Sequence, residues 1–306
     1  MPYRRIKLAI TEMCNLDCIH CYMKKKSSKC MDVERAKKFL NEARELGVEV
    51  VDLTGGEPSL HPHFSTIVEH ALSLGFKQLN ICTNGYALDP KMLQNFDPAI
   101  IHCFISMDGT SEEVVRKVRG GNVGKLMKLF RELKQMKLRF SLRFCLNVQN
   151  WTETAEMLTF ASELGVDVDF EPTQIIGNTG KDLVLSHEQV LRVGSIINSF
   201  PKTSVTIGES FTAPFPCDGG QSDLLSVDTD GRGTVCLMIG ANKQVTPDNV
   251  TLKEMWDTLQ AYKRRMKNFR PTMERCNDCP HHSLCLSGCH VTAYTHQCFN
   301  PWKEEG

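Results

Sequence analysis

No run of eighteen apolar residues occurs anywhere in the chain, so the sequence holds no candidate for a membrane-spanning helix. The amino end, MPYRRIKLAITEMC, is basic but has neither the apolar stretch nor the small-residue cleavage site of a secretory signal. An excess charge of one sign is missing as well: 36 Lys and Arg offset 36 Asp and Glu, so no global field draws the protein to nucleic acid or to a membrane surface. Low-complexity linkers are absent, and no repeat is visible beyond an alternation of strand and helix patterns. These gaps leave a cytoplasmic globular protein. Its 306 residues, 41% of them hydrophobic, suffice for one large domain and a smaller one.

Cysteine is what the chain has in quantity. Fourteen thiols in a reducing compartment, in a chain large enough to fold without staples, argue for metal or catalysis rather than disulfides. They are also uneven: Cys14, Cys18 and Cys21 lie at one end, and Cys217, Cys236, Cys276, Cys279, Cys285, Cys289 and Cys298 at the other. Cys30, Cys82, Cys103 and Cys145 remain, and each reads by itself as a small buried hydrophobe.

The runs IKLAIT, VEVVDLT, FKQLNICT, IIHCFISM, FSLRFCLNV and VDVDFEPT read as strands. Helical patterns ending in glycine, VERAKKFLNEARELG, FSTIVEHALSLG and TAEMLTFASELG, separate most of them, which implies parallel strands joined by right-handed crossovers. In the fourth strand His102, Phe104, Ser106 and Asp108 share one face and Ile101, Cys103, Ile105 and Met107 the other. The fifth repeats this, with Arg143, Cys145 and Asn147 opposite Phe144, Leu146 and Val148. A greasy face suits packing against helices and a polar one suits a lumen, so the expected fold is α/β, a partial (β/α)6 TIM-type barrel with an occupied mouth. The pattern changes to short strands, turns and a cysteine-rich tail near residue 200, which sets expected domains at 1–200 and 201–306.

The first three thiols stand in TEMCNLDCIHCYM. Structural zinc wants four closed ligands, and no fourth Cys or His at finger spacing follows Cys21; His20, between Cys18 and Cys21, is badly placed to serve. A [4Fe–4S] cube held by three thiolates leaves one iron open for a substrate or cofactor. The sequence here resembles the radical S-adenosylmethionine (SAM) superfamily, whose signature is Cys, three residues, Cys, two residues, Cys after the first strand. TGGEP, TNG and SMDG follow in order at the ends of the second, third and fourth strands. The resemblance implies that Cys14, Cys18 and Cys21 hold a SAM-binding cube and that the Gly55–Gly56–Glu57 backbone meets the SAM amino group. It also implies that Ser106 and Asp108 bind the ribose, and it places Thr83 in the cofactor site. Asn147 is expected beside the ribose. Arg119, in VRGG before a helix, reads either as a partner of the SAM carboxylate or as a surface arginine. Where the family has an aromatic residue before the third cysteine, this chain has His20.

The seven C-terminal thiols by themselves allow zinc, since Cys276 and Cys279 are spaced like a zinc knuckle. Following such a core, they resemble the SPASM extension, which carries two auxiliary [4Fe–4S] clusters. The resemblance implies one cluster on Cys217, Cys236 and Cys289 and another on Cys276, Cys279, Cys285 and Cys298. The implied chemistry is reductive cleavage of SAM to a 5′-deoxyadenosyl radical, which abstracts hydrogen from substrate, with an electron supplied by a flavodoxin or ferredoxin. The auxiliary clusters would take the electron from the substrate radical. A hydrogen-donating thiol would make the reaction redox-neutral, and Cys145, then Cys82, share the inward parity such a donor needs. SPASM relatives most often modify ribosomal peptides. The first strand begins at about residue 6, leaving no room for a leader-binding domain. The expectation is therefore a peptide substrate with a separate leader-binding protein, or a smaller substrate such as a tetrapyrrole, a pterin-type metal cofactor or a sugar. A zinc or electron-transfer protein is the non-enzymatic alternative.

Overall fold

The computed structural model describes residues 4–23, 25–173, 179–201, 224–239 and 249–268. Six strands, β1 (Arg5–Thr11), β2 (Val50–Gly55), β3 (Gln78–Thr83), β4 (Ile101–Ser106), β5 (Arg139–Leu146) and β6 (Val168–Pro172), pair in parallel, each with its neighbour in sequence. All were legible as apolar or alternating runs. When successive right-handed crossovers always step in one direction, the helices all fall on one face and the sheet curls around the other. The result is the partial barrel expected from the sequence.

Between the strands run α1 (Val33–Glu45), α2 (Phe64–Ser73), α3 (Glu112–Arg119), α4 (Val123–Gln135) and α5 (Thr154–Leu164), followed by α6 (His187–Ser199). Asp32 caps α1 by accepting from the Glu34 and Arg35 amides. In α4, Leu126, Leu129, Phe130 and Leu133 recur at helical spacing and bury together, and the Phe130 ring stacks on Phe140 of β5 at 5.2 Å. The division of faces follows the pleat. In β4, Ile101, Cys103 and Ile105 are fully buried beneath the helices, whereas His102, Phe104 and Ser106 are partly open to the lumen.

Two strands from beyond residue 201 join the same sheet. β7 (Leu224–Val227) runs parallel to β1, and β8 (Gly233–Thr234) runs antiparallel to β7, giving the order β6-β5-β4-β3-β2-β1-β7-β8. α7 (Leu252–Asn268) follows, its Leu252 amide donating to Glu42 of α1 at 2.7 Å. Among the described residues no helix is long and apolar enough to cross a membrane.

Candidate functional site

The sequence motifs converge because parallel neighbours bring their carboxyl ends to one rim. The loop carrying Cys14, Cys18 and Cys21 leaves β1 at Thr11 and returns to it through a bridge between Thr11 and Cys30. Gly55 ends β2, Thr83 ends β3 and Ser106 ends β4. The Gly56 amide donates to the Thr11 carbonyl at 2.8 Å and the Glu57 amide to the Met13 carbonyl at 2.7 Å. A side chain on Gly55 would strike the Thr11 carbonyl, and one on Gly56 the Met13 carbonyl. Gly55 is also held at a φ of 137°, a conformation that favours glycine. The close approach these glycines permit is thus to the chain itself, just before Cys14.

Glu57 is fully buried, and burial pushes its carboxyl pKa up. Its Oε1 accepts from the Ser59 and Thr83 hydroxyls at 2.6 and 2.7 Å, and its Oε2 from the Asn84 amide at 2.6 Å. Asn84, so placed, donates through Nδ2 to Asn15 at 2.8 Å and lies 3.7 Å from the Cys14 sulfur. Sequence reasoning carried Thr83 as a cofactor residue, but its hydroxyl is engaged by Glu57 and by the Gly85 amide. Asn84 was missed as a neighbour of the thiol, although TNG had been singled out.

The second anchor of the cysteine loop is α3. The Ile19 amide donates to the Val118 carbonyl at 3.0 Å, which brings Cys18 to the last turn of that helix. Arg119 is the final residue of α3, not part of a loop, and Gly120 in the left-handed conformation stops the helix behind it. Its side chain is 10% exposed, so the surface-arginine reading is overturned. One guanidinium nitrogen lies 3.7 Å from the Cys18 sulfur, and Nε lies 2.5 Å from Asp108 Oδ2. Burial works against that charge, but Asp108 and the Cys18 sulfur outweigh it and raise the pKa. Asp108, itself fully buried, also accepts the Cys145 amide at 2.6 Å and faces His20 Nε2 at 3.3 Å. His20 is pushed down to about 4, chiefly by burial, and is neutral at pH 7.

Cys14, Cys18 and Cys21 are half-buried and not in disulfides. Burial raises the thiol pKa of Cys18 and Cys21, so a positive charge at the rim is what would hold them as thiolates. Hydrogen-bond donors already face two of the three sulfurs, from Asn84 and Arg119, and such donors support metal-bound thiolates. The donor set is three soft sulfurs and no oxygen ligand, which fits an iron–sulfur cube. Among the described residues no group of three or more His, Cys, Asp or Glu is arranged to hold a single metal ion.

At the end of β4, the Ser106 side-chain hydroxyl has no hydrogen bond among the described residues. Asn147 departs from expectation: it is fully buried, its Nδ2 donates to the Cys145 carbonyl and its Oδ1 accepts from the Gln149 amide. It shapes the turn after β5 instead of presenting a free amide to a ribose. Cys145 Sγ lies 3.3 Å from the Thr173 hydroxyl, and burial pushes its thiol well up, as it does that of Cys82. Both stay protonated, the state a hydrogen-atom donor requires. Of the C-terminal thiols, Cys236 follows β8, half-buried, its sulfur 3.4 Å from the Met238 amide. Cys217, Cys276, Cys279, Cys285, Cys289 and Cys298 lie outside the described residues.

Six parallel strands stepping in one direction, with a three-thiol loop clamped at their carboxyl rim by a Gly-Gly-Glu turn, define a barrel-type protein with a cysteine loop at its mouth. The Radical SAM superfamily profile matches residues 8–161, and the chain belongs to that superfamily. A probable GTP 3′,8-cyclase of Sulfolobus acidocaldarius is 24% identical over 201 residues, 63% of this chain and 63% of its own length. The match thus spans less than two thirds of that cyclase. A PqqA peptide cyclase of Gluconobacter oxydans is 25% identical over 318 residues, covering 95% of this chain and 87% of the relative. In fold, the chain is similar to SuiB of Streptococcus suis, solved with its precursor peptide SuiA: the TM-score is 0.79 at 14% identity, over 98% of this chain and 75% of SuiB.

Proposed function

We propose that this protein is a radical SAM oxidoreductase acting on a ribosomally made peptide, with residues 201–306 forming a SPASM region that holds two auxiliary [4Fe–4S] clusters. The observation that carries the reading is the extent of likeness. Similarity to a peptide cyclase runs over 95% of the chain and so reaches into the cysteine-rich tail, whereas similarity to the GTP cyclase covers 63%. When bound, the reduced cube and SAM supply a 5′-deoxyadenosyl radical that abstracts hydrogen from substrate.

The chain's own residues do the rest. Cys14, Cys18 and Cys21 hold the cube, with Asn84 and Arg119 donating toward two of the sulfurs. Glu57 fixes Asn84 and Thr83, and the Gly55–Glu57 backbone and Ser106 are left to contact SAM. The Arg119–Asp108 pair ties α3 to β5 across the rim and limits solvent entry. Cys145 lies inside that barrier as the hydrogen-donor candidate. Cys217, Cys236 and Cys289 would hold one auxiliary cluster, and Cys276, Cys279, Cys285 and Cys298 the other. The protein works in the cytoplasm, with a flavodoxin or ferredoxin as reductant and a separate leader-binding protein.

The test is anaerobic reconstitution of the full chain, then SAM, reductant and the short peptides encoded beside the gene. About twelve irons per chain, 5′-deoxyadenosine formation and loss of hydrogen from a peptide are expected, and Cys18→Ala should abolish SAM cleavage. Zinc in place of iron, or 5′-deoxyadenosine from Cys18→Ala at the wild-type rate, would refute the reading. The likeness to a GTP cyclase favours, as a second reading, the same chemistry on a small molecule. Turnover of a nucleotide, tetrapyrrole or sugar with every neighbouring peptide left unmodified would select it.

A further inference from the structure

The lumen contains a guanidinium that nothing described so far uses. Arg143 projects inward from β5, in register with Ser106 at the end of β4. Its Cζ lies 4.3 Å above the centre of the Phe104 ring, and that ring stacks in turn on His102, also at 4.3 Å. One terminal nitrogen points at the Cys82 thiol, 3.8 Å away. Nε is buried with no hydrogen-bond partner among the described residues.

Two of the lumen's carboxylates are committed elsewhere. Asp52 pairs with Arg5 at 2.8 Å and accepts from Asn80 at 2.7 Å, and Asp108 is taken by Arg119 and the Cys145 amide. Asp169, beside Arg143 in the β5–β6 register, and Glu171 favour its charge through space. Its platform is uncharged, because His102 is held down to about 4, first by burial. A half-desolvated guanidinium that rests on an aromatic face with its Nε unsatisfied among the described residues is costly to keep, and a ligand geometry that repays it is a planar oxyanion.

We propose that Arg143, backed by Phe104 and flanked by Ser106 and Cys82, forms a carboxylate-binding subsite in the lumen that anchors a carboxylate of the substrate. That the occupant is substrate rests on the proposed function. The subsite itself does not, and it is tested without turnover.

The probe is iodoacetate, set against its neutral counterpart iodoacetamide. Each alkylates a cysteine by forming a sulfur–carbon bond, expelling iodide and releasing the thiol proton to solvent. Only iodoacetate carries the carboxylate. The reconstituted full chain is treated with each reagent under anaerobic conditions, and modification is mapped by mass at Cys82, with Cys30 as the internal reference. The ratio of iodoacetate to iodoacetamide labelling at Cys82, normalised to Cys30, should drop at least about tenfold in Arg143→Gln, the equivalent of one charge-assisted hydrogen bond. It should be partly restored in Arg143→Lys. Taking the ratio cancels the effect of the guanidinium on the thiol itself. An unchanged ratio overturns the subsite. Because burial holds the Cys82 thiol protonated, labelling by neither reagent is decided instead by acetate, whose thermal stabilisation of the chain should be lost in Arg143→Gln. Stabilisation equal in both proteins overturns the subsite. If saturating SAM abolishes the iodoacetate preference and Arg143→Gln weakens SAM binding, the carboxylate belongs to SAM and the substrate assignment fails. If SAM leaves the preference intact and Arg143→Gln keeps SAM affinity, the assignment stands.

Discussion

Asn84 occupies a position of leverage at the scale of single residues. Its backbone amide is fixed by Glu57, and its side chain turns from there to Asn15 and the Cys14 sulfur. Asn84→Ala removes a donor next to the Cys14 sulfur, a proposed cluster ligand, while leaving the Glu57 contact to the backbone in place. The expected result is faster iron loss to a chelator, by roughly tenfold or more, in the range for lost outer-shell partners of a metal site. Chelator kinetics equal to the unaltered protein would count against it. His102 offers a different kind of test. Its folded pKa of about 4 lies below the ordinary 6.5, so between these values the unfolded chain binds more protons and stability falls as pH drops from 6.5 toward 4. His102→Phe preserves an aromatic neighbour for Phe104 and should flatten that part of the stability curve in denaturant titrations. A slope identical to that of the parent protein would show that the imidazole does not titrate there on unfolding.

Secondary-structure elements set the rim. The end of β2 presses on the backbone leaving β1, and two glycines are needed because carbonyls stand where their side chains would be. Gly56→Ala therefore forces the Met13 carbonyl, and with it the approach to Cys14, out of place. Iron per chain after reconstitution should fall by about four, one cube, while far-UV circular dichroism is preserved. Full iron content would indicate that the loop accommodates the methyl group. Deeper in the fold, α4 buries Leu126, Leu129, Phe130 and Leu133, with the Phe130 ring stacked on Phe140 of β5, so Leu133→Ala is expected to cost about 2–5 kcal/mol in urea denaturation. At this scale the strands were legible because pleat alternation is written locally: β4 alternates buried and partly open residues along its length. α3 was not legible as a helix ending at Arg119. Its eight residues are rich in charge, and what defines its end is Gly120 and its tether to Ile19.

The sheet does not stop where composition changes. β7, from beyond residue 201, lies along the outer edge of β1, pairing Leu225 with Ile6 and Val227 with Leu8, all fully buried. A fragment ending at residue 201 would expose that edge, and unpaired edges with apolar flanks associate. It should elute as aggregates in size-exclusion chromatography, and a stable monomer would show that β7 is dispensable.

Sequence alone determined the strand count of the barrel, the inward and outward faces and the thiol spacing that marks the superfamily, because each is periodic or contiguous along the chain. Tertiary structure alone decided which charge meets which. Arg119 belongs to Asp108, Glu57 serves Thr83 and Asn84, Asn147 closes its own turn, and Arg143 faces an aromatic ring and a thiol. Long side chains reach across neighbouring strands and loops, so their partners depend on register and on the order of burial, which no local pattern encodes.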